Sequence, residues 1–170
     1  LFNSKLESIW LELESRTNPY IFQRFHWLEH WQDTIGKSEF FSEPCIVVIA
    51  DEKGSQALLP FGIQRKMGFN VLSFLGGDHS DYHSFIATKR GQALLKRTDI
   101  WLEIEKLLPD YDVLQVDKIP ENVPCDVFNT KNNMSFFGKK EAYAAELPAN
   151  WEDYQKRLSS KIKSDSRRQQ

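Results

Sequence analysis

Long apolar runs are missing from this chain: no stretch approaches the roughly 20 residues that a membrane-spanning helix needs. The opening residues, LFNSKLESIW, lack the basic-then-apolar layout of a secretory leader. Cysteine is scarce. Cys45 and Cys125 show no metal-type spacing; one opens an apolar strand and the other follows a proline, which reads as reduced structural thiols in a cytosolic protein. Charge of one sign is scarce too. With 22 Lys and Arg against 24 Asp and Glu, the net charge of -2 gives no global pull toward nucleic acid or anionic membrane. No G-x-G-x-x-G follows the first strand, so the dinucleotide-binding fingerprint is excluded. No G-x-S-x-G occurs, and neither cysteine has a readable histidine partner, so no nucleophile is supported. Internal repeats and low-complexity tracts are absent.

What is present fits one domain, or one plus an extension, in 170 residues. Twelve Phe and five Trp supply bulky core material. Leu6, Ile9, Trp10 and Leu13 recur at helical spacing, predicting a helix to about Ser15. Thr17-Asn18-Pro19 breaks it, and a second helix is expected from Ile21 to Thr34, with Phe22, Phe25, Trp27, Leu28 and Trp31 on one broad face and Gly36 as its stop. Cys45 to Ala50 and Gln56 to Lys66 read as a hairpin around Asp51-Glu52-Lys53-Gly54. Pro60 inside its second strand points to an edge or a bulge. Phe69 to Leu75 and His83 to Ala87 follow as strands, then a helix from Gly91 to Leu108, a strand from Tyr111 to Val116, a loop over 118–134, a short strand from Glu141 to Leu147 and a helix from Trp151 onward. The order predicts an α/β or α+β sandwich with a mixed sheet flanked by helices. Residues 1–150 are expected to form the domain and 151–170 a basic helix beyond it. Both ends fall inside helical patterns and no Met opens the chain, which predicts a piece of a longer polypeptide.

The densest cluster of reactive side chains is LSFLGGDHSDYHSF, Leu72 to Phe85. Gly76 and Gly77 let the chain turn sharply where a strand ends, and Asp78, His79, Asp81, Tyr82 and His83 come straight after. Polar groups just past a buried strand sit where α/β proteins often bind ligands. Asp81 can orient an amine or hydroxyl, Tyr82 can donate a proton or stack on a sugar, and His79 and His83 can act as bases near neutral pH. The bland reading is that Asp81 caps the turn and Tyr82 packs. On an extended segment His79, Asp81 and His83 would share a side, and His26 and His30 share a helix face, so a metal site is an alternative; the helix pair lacks the H-E-x-x-H glutamate, and no metal is expected. The basic tail, Lys156 to Arg168, reads as a solvated or docking helix face, since it has no interleaved aromatics to stack on bases.

Four stretches together resemble a known family: FQRFHWLEHWQDTIG (Phe22 to Gly36), ALLPFGIQRK (Ala57 to Lys66), FLGGDHSDYHSF (Phe74 to Phe85) and WEDYQKRLSSKIKSDSRRQQ (Trp151 to Gln170). In order and spacing they are similar to the N-terminal half of the GNAT-like acyltransferases grouped with the CelD cellulose-biosynthesis proteins, themselves similar to the FemAB aminoacyl transferases. The resemblance implies two GNAT-like halves, with acyl-CoA and catalysis in the second, which lies beyond this chain. It implies a cytoplasmic enzyme moving an acyl group from acetyl-CoA, or another acyl-CoA, to an amine of a sugar, amino acid or envelope precursor. Substrate contacts are then expected from His79, Asp81, Tyr82 and His83, and no catalytic residue can be carried over. The nearest approach to a pyrophosphate loop is Thr88-Lys89-Arg90-Gly91-Gln92-Ala93, where Arg90 and Gly91 would touch phosphate, although Thr88 stands where Gln or Arg belongs. A non-catalytic GNAT-like scaffold and a metal-dependent hydrolase stay open as alternatives.

Overall fold

A computed structural model of the chain describes residues 2–38, 43–97, 99–123, 128, 135, 138–143 and 146–168. They fall into two compact units, Leu1–Phe136 and Phe137–Gln170.

The first unit is an α+β structure built on a five-stranded mixed sheet. Strand β1 (Glu43–Asp51) and strand β2 (Gly54–Lys66) form the expected hairpin, and β3 (Phe69–Phe74) returns antiparallel to β2. Strand β4 (Ile86–Ala87) pairs with β2 at Ala57 and Leu58, and β5 (Val113–Gln115) lies parallel to β3. Helix α1 is Ser4–Arg16 and α2 is Phe25–Trp31; α3 is Lys89–Leu95 and α4 is Ile100–Glu105.

Strand periodicity divides the core between two faces. Ala57, Leu59 and Phe61 of β2 look one way, onto Leu95, Trp101 and Ile104 of α3 and α4 and onto Phe128. Leu58 looks the other way, with Ile46 and Val48 of β1, onto Trp10 and Leu13 of α1 and Phe25, Leu28 and Trp31 of α2. Helices therefore cover both faces, and β2 is buried almost end to end. Each fully buried side chain of the Leu or Phe class contributes about 1.5–3 kcal/mol.

Pro60 lies neither at an edge nor at a bulge. It sits in the central strand, opposite Ile46, and accepts the Leu75 N–H at 2.8 Å. Having no N–H to return, it stands where β2 changes partner from β4 to β3. The chain leaves β3 at Leu75.

Several expected elements are shorter than their apolar periodicity. The helix expected from Ile21 to Thr34 is a 3-10 turn (Ile21–Gln23), an extended Arg24, α2, and a π-helical turn (Gln32–Gly36). Gln23 is pulled inward because its Nε2 donates to Tyr82 O at 2.7 Å. The helix expected from Gly91 to Leu108 is broken between α3 and α4, where Arg97 pairs with Asp99. The strand expected at His83–Ala87 is paired only at Ile86 and Ala87, since the His83 N–H goes to Lys118 O at 3.0 Å.

In the second unit, residues 141–143 and 146–147 are not in a strand, which corrects the strand expected from Glu141 to Leu147. The terminal helix is two helices, α5 (Trp151–Arg157) and α6 (Ser160–Arg168), because Leu158 is extended. Asn150 caps α5, accepting the Asp153 N–H at 2.9 Å. Cys45 carries a free thiol that burial pushes up; Cys125 lies outside the described residues. No described helix is long and apolar enough to cross a membrane.

Candidate functional site

Strands β3 and β5 run side by side in the same direction, with Ser73 opposite Gln115. The segments leaving their carboxyl ends meet, at the position where open α/β sheets bind ligands. Gly76 has φ 102°, and a Cβ there would lie 2.1 Å from Ser80 Oγ, so both the backbone angle and the space demand glycine. A 3-10 turn over Gly77–His79 follows.

Lys118, leaving β5, ties this turn down. Its Nζ donates to Ser80 O (3.0 Å), Gly77 O (3.2 Å) and Asp78 Oδ1 (3.3 Å). Its own carbonyl accepts the His83 N–H. Lys118 holds φ 53°, unusual for a residue with a Cβ, and these contacts offset the strain.

The four expected contact residues do not point one way. His79 is exposed and lies in the 3-10 turn, with Trp31 Nε1 3.4 Å from its Nδ1. Asp81 is exposed. Tyr82 is half-buried and packs against Tyr20 (ring centroids 4.9 Å) and Phe22 (6.2 Å). His83 is buried, with only 5% of its side chain exposed. The Gly-Gly turn removes the alternation that would have placed His79, Asp81 and His83 together.

His83 is the chemically distinctive member. Its Nδ1 lies 2.9 Å from Asp117 Oδ1, and Gln115 Nε2 donates to Asp117 Oδ2 at 3.1 Å. The hydrogen bond from His83 holds the Asp117 carboxyl below the usual carboxylate range, against the opposing effect of burial. A carboxylate only accepts, so Nδ1 carries a proton, and in the neutral ring Nε2 is a bare acceptor. Nε2 is buried and has no hydrogen-bond partner among the described residues. The ring lies near-parallel to Phe74, with centroids 6.0 Å apart. The ring edges a cavity of about 40 Å³ whose lining also includes Gln64, Lys66, Ser73, Asp78, Gln115 and Asp117. Asp117, Gln115 and Lys118 escaped the sequence reading. The one signal for them is a polar Gln-x-Asp-Lys exit directly after an apolar strand.

The loop before α3 is built differently from a phosphate cradle. Arg90 is ion-paired with Asp51 and, at 2.9 Å, with Glu52, both in the β1–β2 turn. The Gly91 N–H is taken by Thr88 Oγ1 at 3.0 Å. Gly91 is buried because its helix lies directly on β2: a Cβ would come 2.1 Å from Gln56 O. This geometry gives no support to phosphate contacts from Arg90 and Gly91.

The two histidine pairs stay apart as ligand sets. His26 is exposed and 3.7 Å from Glu29, His30 is exposed, and His83 is committed to Asp117. Among the described residues, no three His, Cys, Asp or Glu side chains gather in a way that would hold a metal ion. Compared with family models, curated proteins and solved structures, the chain matches none.

Proposed function

We propose that this chain is the acceptor-binding lobe of an acyl-CoA-dependent N-acyltransferase of the GNAT-like, CelD-related kind, acting on a small-molecule amine of a sugar, amino acid or envelope precursor. The observation that carries the reading is the His83–Asp117 pair beside a cavity at the carboxyl ends of parallel strands β3 and β5. An imidazole oriented by a carboxylate, both lining a polar cavity, is an arrangement suited to contacting an N–H or O–H group there. The Gly76-Gly77 turn and Lys118 place that imidazole against the sheet.

An acyl-CoA, when bound, supplies an activated thioester carbonyl. Arg90 and the Gly91 N–H are engaged within the fold, by Asp51 and by Thr88 Oγ1. The reading gives its binding to a second GNAT-like half of the same protein. The engaged Arg90 and Gly91 also favour the other reading, a non-catalytic GNAT-like module.

Protein expressed from the complete gene separates the two. It is titrated calorimetrically with acetyl-CoA, and release of the CoA thiol is followed while glucosamine or glycine is added. The transferase reading expects saturable binding and amine-dependent thiol release. A protein that neither binds acetyl-CoA nor releases thiol is a binding module. Hydrolysis abolished by a chelator would replace both readings with a metal-dependent hydrolase.

A further inference from the structure

We propose that the sheet face leading into the His83–Asp117 cavity binds an amphiphile, with a neutral, hydroxyl-bearing head at the cavity and a hydrocarbon tail along Phe69, Val71 and Val113. The assignment rests on the acceptor-lobe reading and names the class of acceptor.

Register fixes which side chains share this face. Residues directly opposite one another in a sheet point the same way, as does every second residue along a strand. Lys66 stands opposite Phe69, Gln64 opposite Val71, and Val71 opposite Val113; Ser73 and Gln115 oppose each other one row further on. Leu58, on the same face of β2, lies under α1 and α2. Val71 belongs to neither core cluster, so among the described residues the helices stop short of this end of the face.

The character of the face changes along β3. At the hairpin end Phe69 is 56% exposed, and on the neighbouring strand Val113 is 45% exposed. Apolar side chains left open together mark a surface that an apolar partner covers. Toward Ser73 the face turns polar and runs into the cavity lining. Four residues separate Phe69 from Ser73, so the apolar approach is about 13 Å long, the scale of a short hydrocarbon chain. The lining selects the head. Lys66, Asp78 and Asp117 bring charges of both signs, which favours neither a cation nor an anion, while Gln64, Gln115 and Ser73 offer donors and acceptors. Hydroxyls both donate and accept, so they pair with such a set. A cavity of about 40 Å³ takes a group on the scale of one or two waters, and the rest of the head stays at its mouth. A second copy of the chain laid on this face would bury exposed Lys66 and Gln115 beside the apolar side chains. A small amphiphile covers the apolar row and leaves the Lys66 ammonium in water.

The test is methyl and side-chain amide NMR on protein from the complete gene, titrated with octyl β-glucoside below the concentration at which it forms micelles. The expected result is saturable, parallel movement of the Val71 and Val113 methyl signals and of the Gln64 and Gln115 amide signals. Leu11 and Leu147, apolar side chains exposed elsewhere, report non-specific detergent contact. Methyl β-glucoside should bind at least about thirtyfold more weakly, because each methylene laid on the apolar row adds to binding. Phe69→Ser should weaken the octyl glycoside about tenfold and Val113→Thr about threefold, and the spectrum itself shows that each variant is folded. The proposal is overturned if the four signals stay still, if Leu11 and Leu147 move equally, or if the methyl glycoside binds as tightly. It is also overturned if Val113 in the free protein is already shielded from a soluble paramagnetic probe, or if light scattering shows a dimer whose formation moves these same signals. Displacement of the glycoside by decanoyl-CoA would give the tail to the acyl donor and overturn the acceptor assignment. Glycoside binding without thiol release from acetyl-CoA would keep the amphiphile site and remove the transferase; thiol release with the four signals silent would do the reverse.

Discussion

Replacing Gly91 with alanine sets two opposed effects against each other. Alanine is the better helix former by about 1 kcal/mol. Yet its Cβ would meet Gln56 O at 2.1 Å and Gln56 C at 2.8 Å, both backbone atoms that cannot rotate aside, with Ala57 Cβ at 3.3 Å. Ordinary contact begins near 3.4 Å, so α3 must back away from β2 by roughly 1 Å. That movement stretches the Thr88 N–H bond to Gln56 O, now 2.9 Å, and the Thr88 Oγ1 bond to Gln56 Oε1, now 2.8 Å. It also loosens Leu95, which is 1% exposed. Overpacking costs about 1–3 kcal/mol and a lost hydrogen bond about 1 kcal/mol. Sterics therefore win, and Gly91→Ala should destabilise the protein by about 1–3 kcal/mol. Urea unfolding followed by fluorescence checks it: the midpoint falls while the slope stays constant. Gly54→Ala is the comparison, since φ is +95° there with nothing within 4 Å, and only the backbone cost of about 1–2 kcal/mol applies. An unchanged or raised midpoint for Gly91→Ala would refute the close seating of α3 on β2.

Other expectations concern the loop and its supports. Asp117 has its carboxyl depressed below 3.8, so its contribution is complete above that value and is lost as pH falls through the lower folded-state pKa. Wild type should therefore exceed Asp117→Asn in urea midpoint at neutral pH, and the gap should start to narrow only once the pH falls below about 4; because Asp117 is half-exposed the gap stays near 1 kcal/mol. A gap that widened as the pH fell would contradict the assignment. Lys118→Met removes the Nζ bonds to Gly77, Asp78 and Ser80 and should cost about 1–3 kcal/mol, with faster amide exchange at Ser80 and His83; unaltered exchange would mean that the turn holds itself. Arg90→Gln should leave acetyl-CoA affinity of the complete protein within about twofold, because that charge is spent on Asp51 and Glu52. A tenfold loss would restore Arg90 as a phosphate contact.

The β1–β2 hairpin was legible because one apolar strand, a turn sequence and a second apolar strand are local signals, and Glu43 to Lys66 carries them in order. Helix α1 was legible from the spacing of Ile9, Trp10 and Leu13. The breaks at Arg24, between α3 and α4, and at Leu158 were not. They follow from where Gln23, Arg97 and Ser159 find partners, such as Tyr82 O for Gln23 and the Ile162 N–H for Ser159 Oγ.

The chain by itself determined where a turn must come and which polar groups follow it. Paired glycines at 76 and 77 and the histidines and aspartates behind them are properties of neighbouring residues. Only the tertiary structure decided which of those groups face inward. Alternation predicted a common side for His79, Asp81 and His83, but the 3-10 turn turned His79 outward, and parallel pairing of β3 with β5 brought Gln115, Asp117 and Lys118 to His83 from more than thirty positions away. Periodicity encodes the direction of a side chain only while the backbone stays regular, and it is silent about partners brought in by the pairing of distant strands.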